Sequence, residues 1–140
     1  MKYNLRVMAN TDIDSVNKLL QQLSVYEPEP LILQKSLAHM FNMGVYPCVL
    51  ELPLFGVIGV GFLYFYPKIR GGLVAHIEDI SVNPLFHHRG FGSLIINHLI
   101  EKACDRSCYL ITLECKQKNV AFYEKFGFYR AGYSLTKRIV

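Results

Sequence analysis

Hydrophobic and polar positions change period several times along the chain. Residues 3–8 alternate as in a short strand, and Ile13, Val16, Leu20 and Leu23 then recur at helical spacing. Thr11, with Asp12 and Asp14 behind it, offers an N-cap hydroxyl and acids near the positive end of the helix dipole. Glu27-Pro28-Glu29-Pro30 breaks that helix, and residues 31–43 read as a second one stopping near Gly44. From Tyr46 the pattern is that of strands: Cys48, Val49, Leu50 and Leu52 form one, Pro53 turns the chain, and residues 55–66 form a longer one. Gly56, Gly59 and Gly61 in it predict bulges or a close approach to its backbone. A loop with Lys68 and Arg70 leads into a third strand over 73–82, completing an antiparallel meander. Beyond Asn83-Pro84 come His87-His88-Arg89-Gly90-Phe91-Gly92 and a helix through about 105, with Leu94, Ile95, Leu99, Ile100 and Ala103 as its apolar positions. A strand over 109–115, a short helix over 119–125 and a closing strand over 127–138 complete the pattern. No repeat, low-complexity tract or linker interrupts it, so residues 1–140 are expected to be one domain.

Composition narrows the function. With 51% hydrophobic residues, 140 residues suffice for one core, which excludes a disordered or fibrous chain. The net charge of +4 is uneven: residues 1–80 hold six Lys/Arg against seven Asp/Glu, and residues 81–140 nine against four. No basic cluster exceeds a dipeptide, which favours a small polyanion, such as a phosphorylated metabolite or cofactor, over nucleic acid or a membrane. Cys48, Cys104, Cys108 and Cys115 form no CxxC pair and no zinc-type cluster, so no metal is expected and the four read as small buried hydrophobes. No apolar leader follows Met1, which predicts a cytoplasmic protein with reduced thiols. The longest uncharged stretch, 52–66, contains Pro53 and falls short of the ~18 apolar residues of a membrane helix.

Three signals carry chemistry. Glycines at the start of a helix uncover backbone N–H groups that complement a pyrophosphate in charge and direction, and Arg89 adds a cation. Neither the P-loop nor the dinucleotide fingerprint is present. In His76-Ile77-Glu78-Asp79-Ile80-Ser81-Val82, two adjacent acids in an apolar strand must be paired or face a wet cleft. Simple alternation puts Ile77, Asp79 and Ser81 on one face and His76, Glu78, Ile80 and Val82 on the other. In residues 119–128, Phe122, Phe126 and Phe128 read as core, whereas the Tyr123 hydroxyl needs a partner if buried.

In this order the three signals resemble the GNAT superfamily of N-acetyltransferases, whose acetyl-CoA loop reads Q/R-x-x-G-x-G/A; here it is His87-x-x-Gly90-x-Gly92, with His at the first position. The strings over 76–82, 108–115 and 119–128 are similar to the glucosamine 6-phosphate N-acetyltransferase branch. The resemblance implies an α/β fold of the α+β kind: a mixed, mostly antiparallel sheet flanked by helices. It implies acetyl-CoA as cosubstrate, direct attack of an amine on the thioester, and no covalent acyl-enzyme. The backbone of Ile80, Ser81 and Val82 would pair with the pantetheine arm. His87, His88, Arg89, Gly90, Phe91, Gly92 and Ser93 would wrap the pyrophosphate, with Asn119 alongside and Tyr123 facing the leaving sulfur. Glu78 and Asp79 would contact the aminosugar, and Glu114, where relatives have Asp, would lie near the amine. Tyr123, Glu114, Glu78 and Asn119 form the implied catalytic set. Ser24, Tyr109 and Leu110 would line the sugar site, with Lys68, Arg70 and Arg138 at the phosphate. Arg138 would come from the neighbouring subunit of a homodimer in UDP-N-acetylglucosamine synthesis. Rival readings are acetylation of another amine (a protein N-terminus, a lysine or a small amine) and a non-catalytic acyl-CoA-binding module.

Overall fold

The computed structural model describes residues 2–140. Five strands lie side by side in chain order: β1 (Asn4–Val7), β2 (Tyr46–Leu52), β3 (Gly56–Pro67), β4 (Leu73–Val82) and β5 (Leu110–Leu113). The first four pair antiparallel, and β5 runs parallel to β4. A parallel neighbour needs a crossover, which helix α3 (Phe91–Asp105) provides. The sheet is mixed and mostly antiparallel, as the pattern and the resemblance implied.

Alternation along β2 sorts the two faces. Cys48, Leu50 and Leu52 join Leu63, Ala75 and Ile77 beneath Ile95, Ile96 and Leu99 of α3. Val49, with Val60 and Phe62, meets Ile13, Val16 and Leu19 of α1 (Ile13–Leu20) and Leu37 of α2 (Pro30–Asn42). Two glycines of β3 answer to the first layer: a Cβ on Gly59 would sit 2.8 Å from Ile95 Cδ1, and one on Gly61 2.6 Å from Ile80 Cδ1, whereas Gly56, at φ +71, has open space around it. The close approach is therefore made by α3 and its neighbours.

Four expectations need correction. Thr11 does not cap α1: residues Asn10–Asp12 form a single 3-10 turn, and Asp12 stands at the cap position. The Asp12 carboxylate accepts from Arg6 Nη1 and Nη2 at 2.7 and 2.9 Å and from the Ala9 N–H at 2.8 Å, while Arg6 also reaches Glu51 at 3.1 Å. Ionic bonds across β1 and β2 outweigh a hydroxyl cap here. The Arg6 guanidinium holds the Asp12 carboxyl below the usual carboxylate range. Second, β5 and the last helix, α4 (Val120–Glu124), are shorter than their patterns, with a 3-10 turn at Gln117–Asn119 between them. Third, no strand forms over 127–138; that tail runs without secondary structure, and Tyr133 and Leu135 are almost fully exposed. A strand needs a neighbour for its backbone groups, and among the described residues no strand pairs with the tail. Fourth, only Cys48 is a core cysteine; Cys104 and Cys115 are exposed and Cys108 is half-buried, because the first two fall outside the packed faces of α3 and β5.

Candidate active site

The sheet opens along β4. Its pairing with β5 ends at Ile77 opposite Leu113, yet β4 continues through residues 78–82 with β3 alone as partner. The Asn83 N–H donates to the Ile58 carbonyl of β3, so strand alternation turns the N–H and C=O of Ile80 and Val82 away from β3, toward the gap. Backbone groups at a strand edge seek a partner. The Val82 carbonyl already accepts from Gln22 Nε2 at 2.9 Å and is 2.6 Å from His87 Nε2. The outward groups of Ile80 and the N–H of Val82 remain to receive an extended amide chain.

A bulge sets which side chains face the gap. Asp79 has φ +52, and the β3–β4 register shifts between Val60 and Phe62. The bulge replaces simple alternation. Ile80 and Val82 fall on the α3 face with Ile77, and Ser81 joins His76 and Glu78 on the other. There the Ser81 hydroxyl donates to the Leu19 carbonyl at 2.7 Å and accepts from Gln22, pinning the end of α1 to β4. Glu78 Oε1 lies 3.0 Å from His76 Nε2, and His76 Nδ1 lies 2.6 Å from Thr112 Oγ1. Partial desolvation, and then the charge of Glu78, push the Asp79 carboxyl above its usual range. Burial and the same two acids raise the phenol of Tyr64, the register partner of His76.

The glycine loop lies just past this edge. Asn83 Oδ1 accepts the Leu85 N–H at 3.0 Å, shaping the turn at Pro84–Phe86 that leads into His87. Gly90 caps α3 at φ +84, a conformation that side chains rarely adopt, and a Cβ on Gly92 would meet only Phe122 at 3.6 Å. The first-turn N–H groups of Phe91, Gly92 and Ser93 have no partner within the helix. The open β4 edge, these N–H groups and the room at Gly92 together fit the pantetheine and pyrophosphate of acetyl-CoA. Arg89 lies 5.7 Å over the Phe86 ring, and His88 is exposed beside it.

Tyr123 projects from α4 and is half-buried between Phe122 and Phe128, with ring centroids at 5.1 and 6.0 Å. Burial, and then Cys115, raise its phenol above the usual value, keeping it protonated at neutral pH. Asn119 caps α4, and Glu114 follows β5 where pairing with β4 has stopped; both are exposed. Ser24 is exposed beyond α1. Lys68 and Arg70 stand elsewhere: their loop precedes β4, about 20 Å from Glu78 at ~3.3 Å per residue. Tyr109, against Gly72, and Leu110 share that end, while Arg138 Nε donates to the Val140 carbonyl in the exposed tail. Gln22, Tyr64 and Thr112 complete the site unforeseen, and His76, singled out in the sequence within the β4 motif, is hydrogen-bonded among them. Only the cross-strand pairing of β4 with β5 could have singled out Thr112. A cavity of about 470 Å³ lies at the β2–β3 turn beside Lys2, Tyr3 and Asn4 and contains none of these groups. Among the described residues no three His, Cys, Asp or Glu gather to hold a metal ion, and no helix is long and apolar enough to cross a membrane.

The sheet opens at β4 beside a glycine loop, the layout that the resemblance implied, and residues 20–128 match the model of the acetyltransferase (GNAT) family. The chain belongs to that family. Among curated proteins it is similar to the glucosamine 6-phosphate N-acetyltransferase of Trypanosoma brucei brucei, 33% identical over 89% of this chain and 87% of the relative. It is 30% identical to the enzyme of the same name from Candida albicans, over 97% and 95% of the two chains. A crystal structure of a Trypanosoma brucei acetyltransferase superposes with a TM-score of 0.92, covering 99% of this chain and all of that one at 28% identity.

Proposed function

We infer that this chain is a glucosamine 6-phosphate N-acetyltransferase, moving an acetyl group from acetyl-CoA to the 2-amino group of D-glucosamine 6-phosphate. The observation that carries the reading is the open stretch of β4, which brings backbone donors, the Glu78–Asp79 pair and the glycine loop to one edge. The names of relatives matching nearly the whole chain support the choice of acceptor.

Acetyl-CoA supplies the acetyl group as an activated thioester. The outward groups of Ile80 and the Val82 N–H hold the pantetheine arm, and one of these donors also faces the carbonyl oxygen that gains charge. The loop from His87 to Ser93 takes the pyrophosphate; His87 contributes by tying the loop to the Val82 carbonyl, a bond an N–H donor makes in either charge state. Glu78, Asp79 and Glu114 receive and orient the amine, with Ser24 at the rim. The Tyr123 hydroxyl, its phenol raised by burial, donates to the departing sulfur, with Asn119 at the start of the same helix alongside the cofactor. At the ordinary values of a phenol (~10) and a thiol (~8.5) full proton transfer is uphill by about 2 kcal/mol, and burial of Tyr123 makes it more so, so a hydrogen bond suffices.

The enzyme works as a cytoplasmic homodimer in UDP-N-acetylglucosamine synthesis. The exposed tail, with Tyr129, Tyr133 and Leu135 at alternate positions, has the pattern of a strand awaiting a partner subunit. Arg138 then reaches the neighbour's sugar phosphate, where a guanidinium suits a dianion. Lys68, Arg70, Tyr109 and Leu110 serve the sugar in a site assembled across both subunits. A thiol-release assay with acetyl-CoA tests the reading. Strong preference for glucosamine 6-phosphate over glucosamine and a lysine peptide is expected; equal rates, preference for the peptide, or acetyl-CoA binding without turnover would contradict it.

A further inference from the structure

Three polar side chains on the α1 face of the sheet are linked where a plain apolar strand would suffice. His76 and Thr112 are register partners across β4 and β5, and the His76 ring lies between Thr112 Oγ1 at 2.6 Å and Glu78 Oε1 at 3.0 Å. The His76 side chain is 21% exposed, whereas Glu78, the first residue beyond the paired part of β4, is 48% exposed at the gap. Tyr64 from β3 and Asp79 from β4 are the other titratable groups close by. From α2, Leu33, Leu37 and Met40 pack into the same layer as Tyr64. Desolvating an imidazole and a hydroxyl is unfavourable unless both are bonded.

We propose that His76 is a positioning residue for acyl transfer: with Thr112 behind it, the ring aims the Glu78 carboxylate at the acceptor amine. The proposal rests on the reading that an amine is acetylated at this end of β4. Its logic follows from donor counting. In the neutral ring, the Thr112 O–H donates to Nδ1, which leaves the proton on Nε2 to be donated to Glu78. In the imidazolium, both nitrogens donate, and the Thr112 hydroxyl turns to accept. No bond is lost between the two states. When an acceptor ammonium gives a proton to Glu78, its N–H bond breaks with the pair left on nitrogen and an O–H bond forms on the carboxyl. Glu78, 48% exposed, then releases that proton to water, while the ring's Nε2–H keeps the carboxylate in place. A hydroxyl at position 112 serves each state, and an apolar residue of the same shape serves neither.

Thr112→Val and Thr112→Ser test this, with His76→Gln as the second variant. For Thr112→Val, kcat/KM for the acceptor should fall about tenfold and the acidic limb of its pH profile should move, with acetyl-CoA Kd essentially unchanged; Thr112→Ser should restore both. Imidazole 15N shifts should report the Nε2–H tautomer of His76 in the wild type at neutral pH and its loss in Thr112→Val, a readout that needs no turnover. An unmoved pH limb and tautomer in Thr112→Val, or an equal loss in Thr112→Ser, would overturn the proposal. If another amine proves to be the acceptor, the proposed substrate fails, while the limb measured with that amine still judges His76.

Discussion

A methyl group added at Gly61 of β3 would lie 2.6 Å from Ile80 Cδ1 and 2.9 Å from Ile95 Cγ2, whereas one added at Gly92, in the first turn of α3, would find only Phe122 at 3.6 Å. Both glycines belong to the same helix and sheet layer. The first is small because the protein fills the space, and the second because the protein leaves it empty. β4 repeats the contrast along its length: residues 74–77 are paired on both edges, and residues 78–82 on one. The packed side of each pair holds the fold together, and the open side is where the proposed function places the ligand. Changes on the open side should therefore alter binding or turnover, and changes on the packed side should alter stability.

The largest effect expected is that of Tyr123→Phe, on the open side: kcat lower by about a hundredfold with acetyl-CoA affinity nearly unchanged. Steady-state kinetics alongside calorimetric titration checks it, and an unchanged kcat removes Tyr123 from the chemistry. Next comes Asp12→Asn on the packed side, which should cost about 2 kcal/mol in urea unfolding at neutral pH, with KM values intact. The Asp12 carboxyl is depressed in the folded state, so its contribution is present above the unfolded pKa of ~3.9 and fades as pH falls through the lower folded value. The variant should accordingly lose stability less steeply than the wild type below about pH 4. Smaller still is the glycine comparison. Gly61→Ala should cost about 1 to 2 kcal/mol through overpacking. Gly92→Ala should leave stability equal or raised by up to ~1 kcal/mol while weakening acetyl-CoA binding; the reverse pattern would break the comparison. Arg138→Ala should leave unfolding untouched and raise only the KM for the phosphosugar, by several-fold.

The order of elements was legible because each packs against near neighbours in sequence: the meander, the crossover helix and the glycine loop all follow from local periodicity and turn residues. The family motifs carried the cleft. What escaped depended on contacts between distant residues. Asp12 took the cap position from Thr11 because Arg6 and Glu51 lie beside it. Strand alternation misassigned Ile80, Val82 and Ser81 because the bulge at Asp79 adds a residue that no composition rule reports. The closing strand over 127–138 does not form, because alternation in the sequence does not supply the neighbouring strand its backbone groups would need. The Gln22 bonds and the Thr112 to His76 to Glu78 chain join segments from different elements, which a linear pattern cannot relate.

The most direct test of the central claim, that the open half of β4 and the start of α3 hold acetyl-CoA, is amide hydrogen exchange with and without that ligand. The account predicts new protection at Ile80, Val82 and residues 90–93, and little change over 74–77, whose backbone groups are already paired. Protection confined to other segments, or bound acetyl-CoA with no change at Ile80 and Val82, would contradict it.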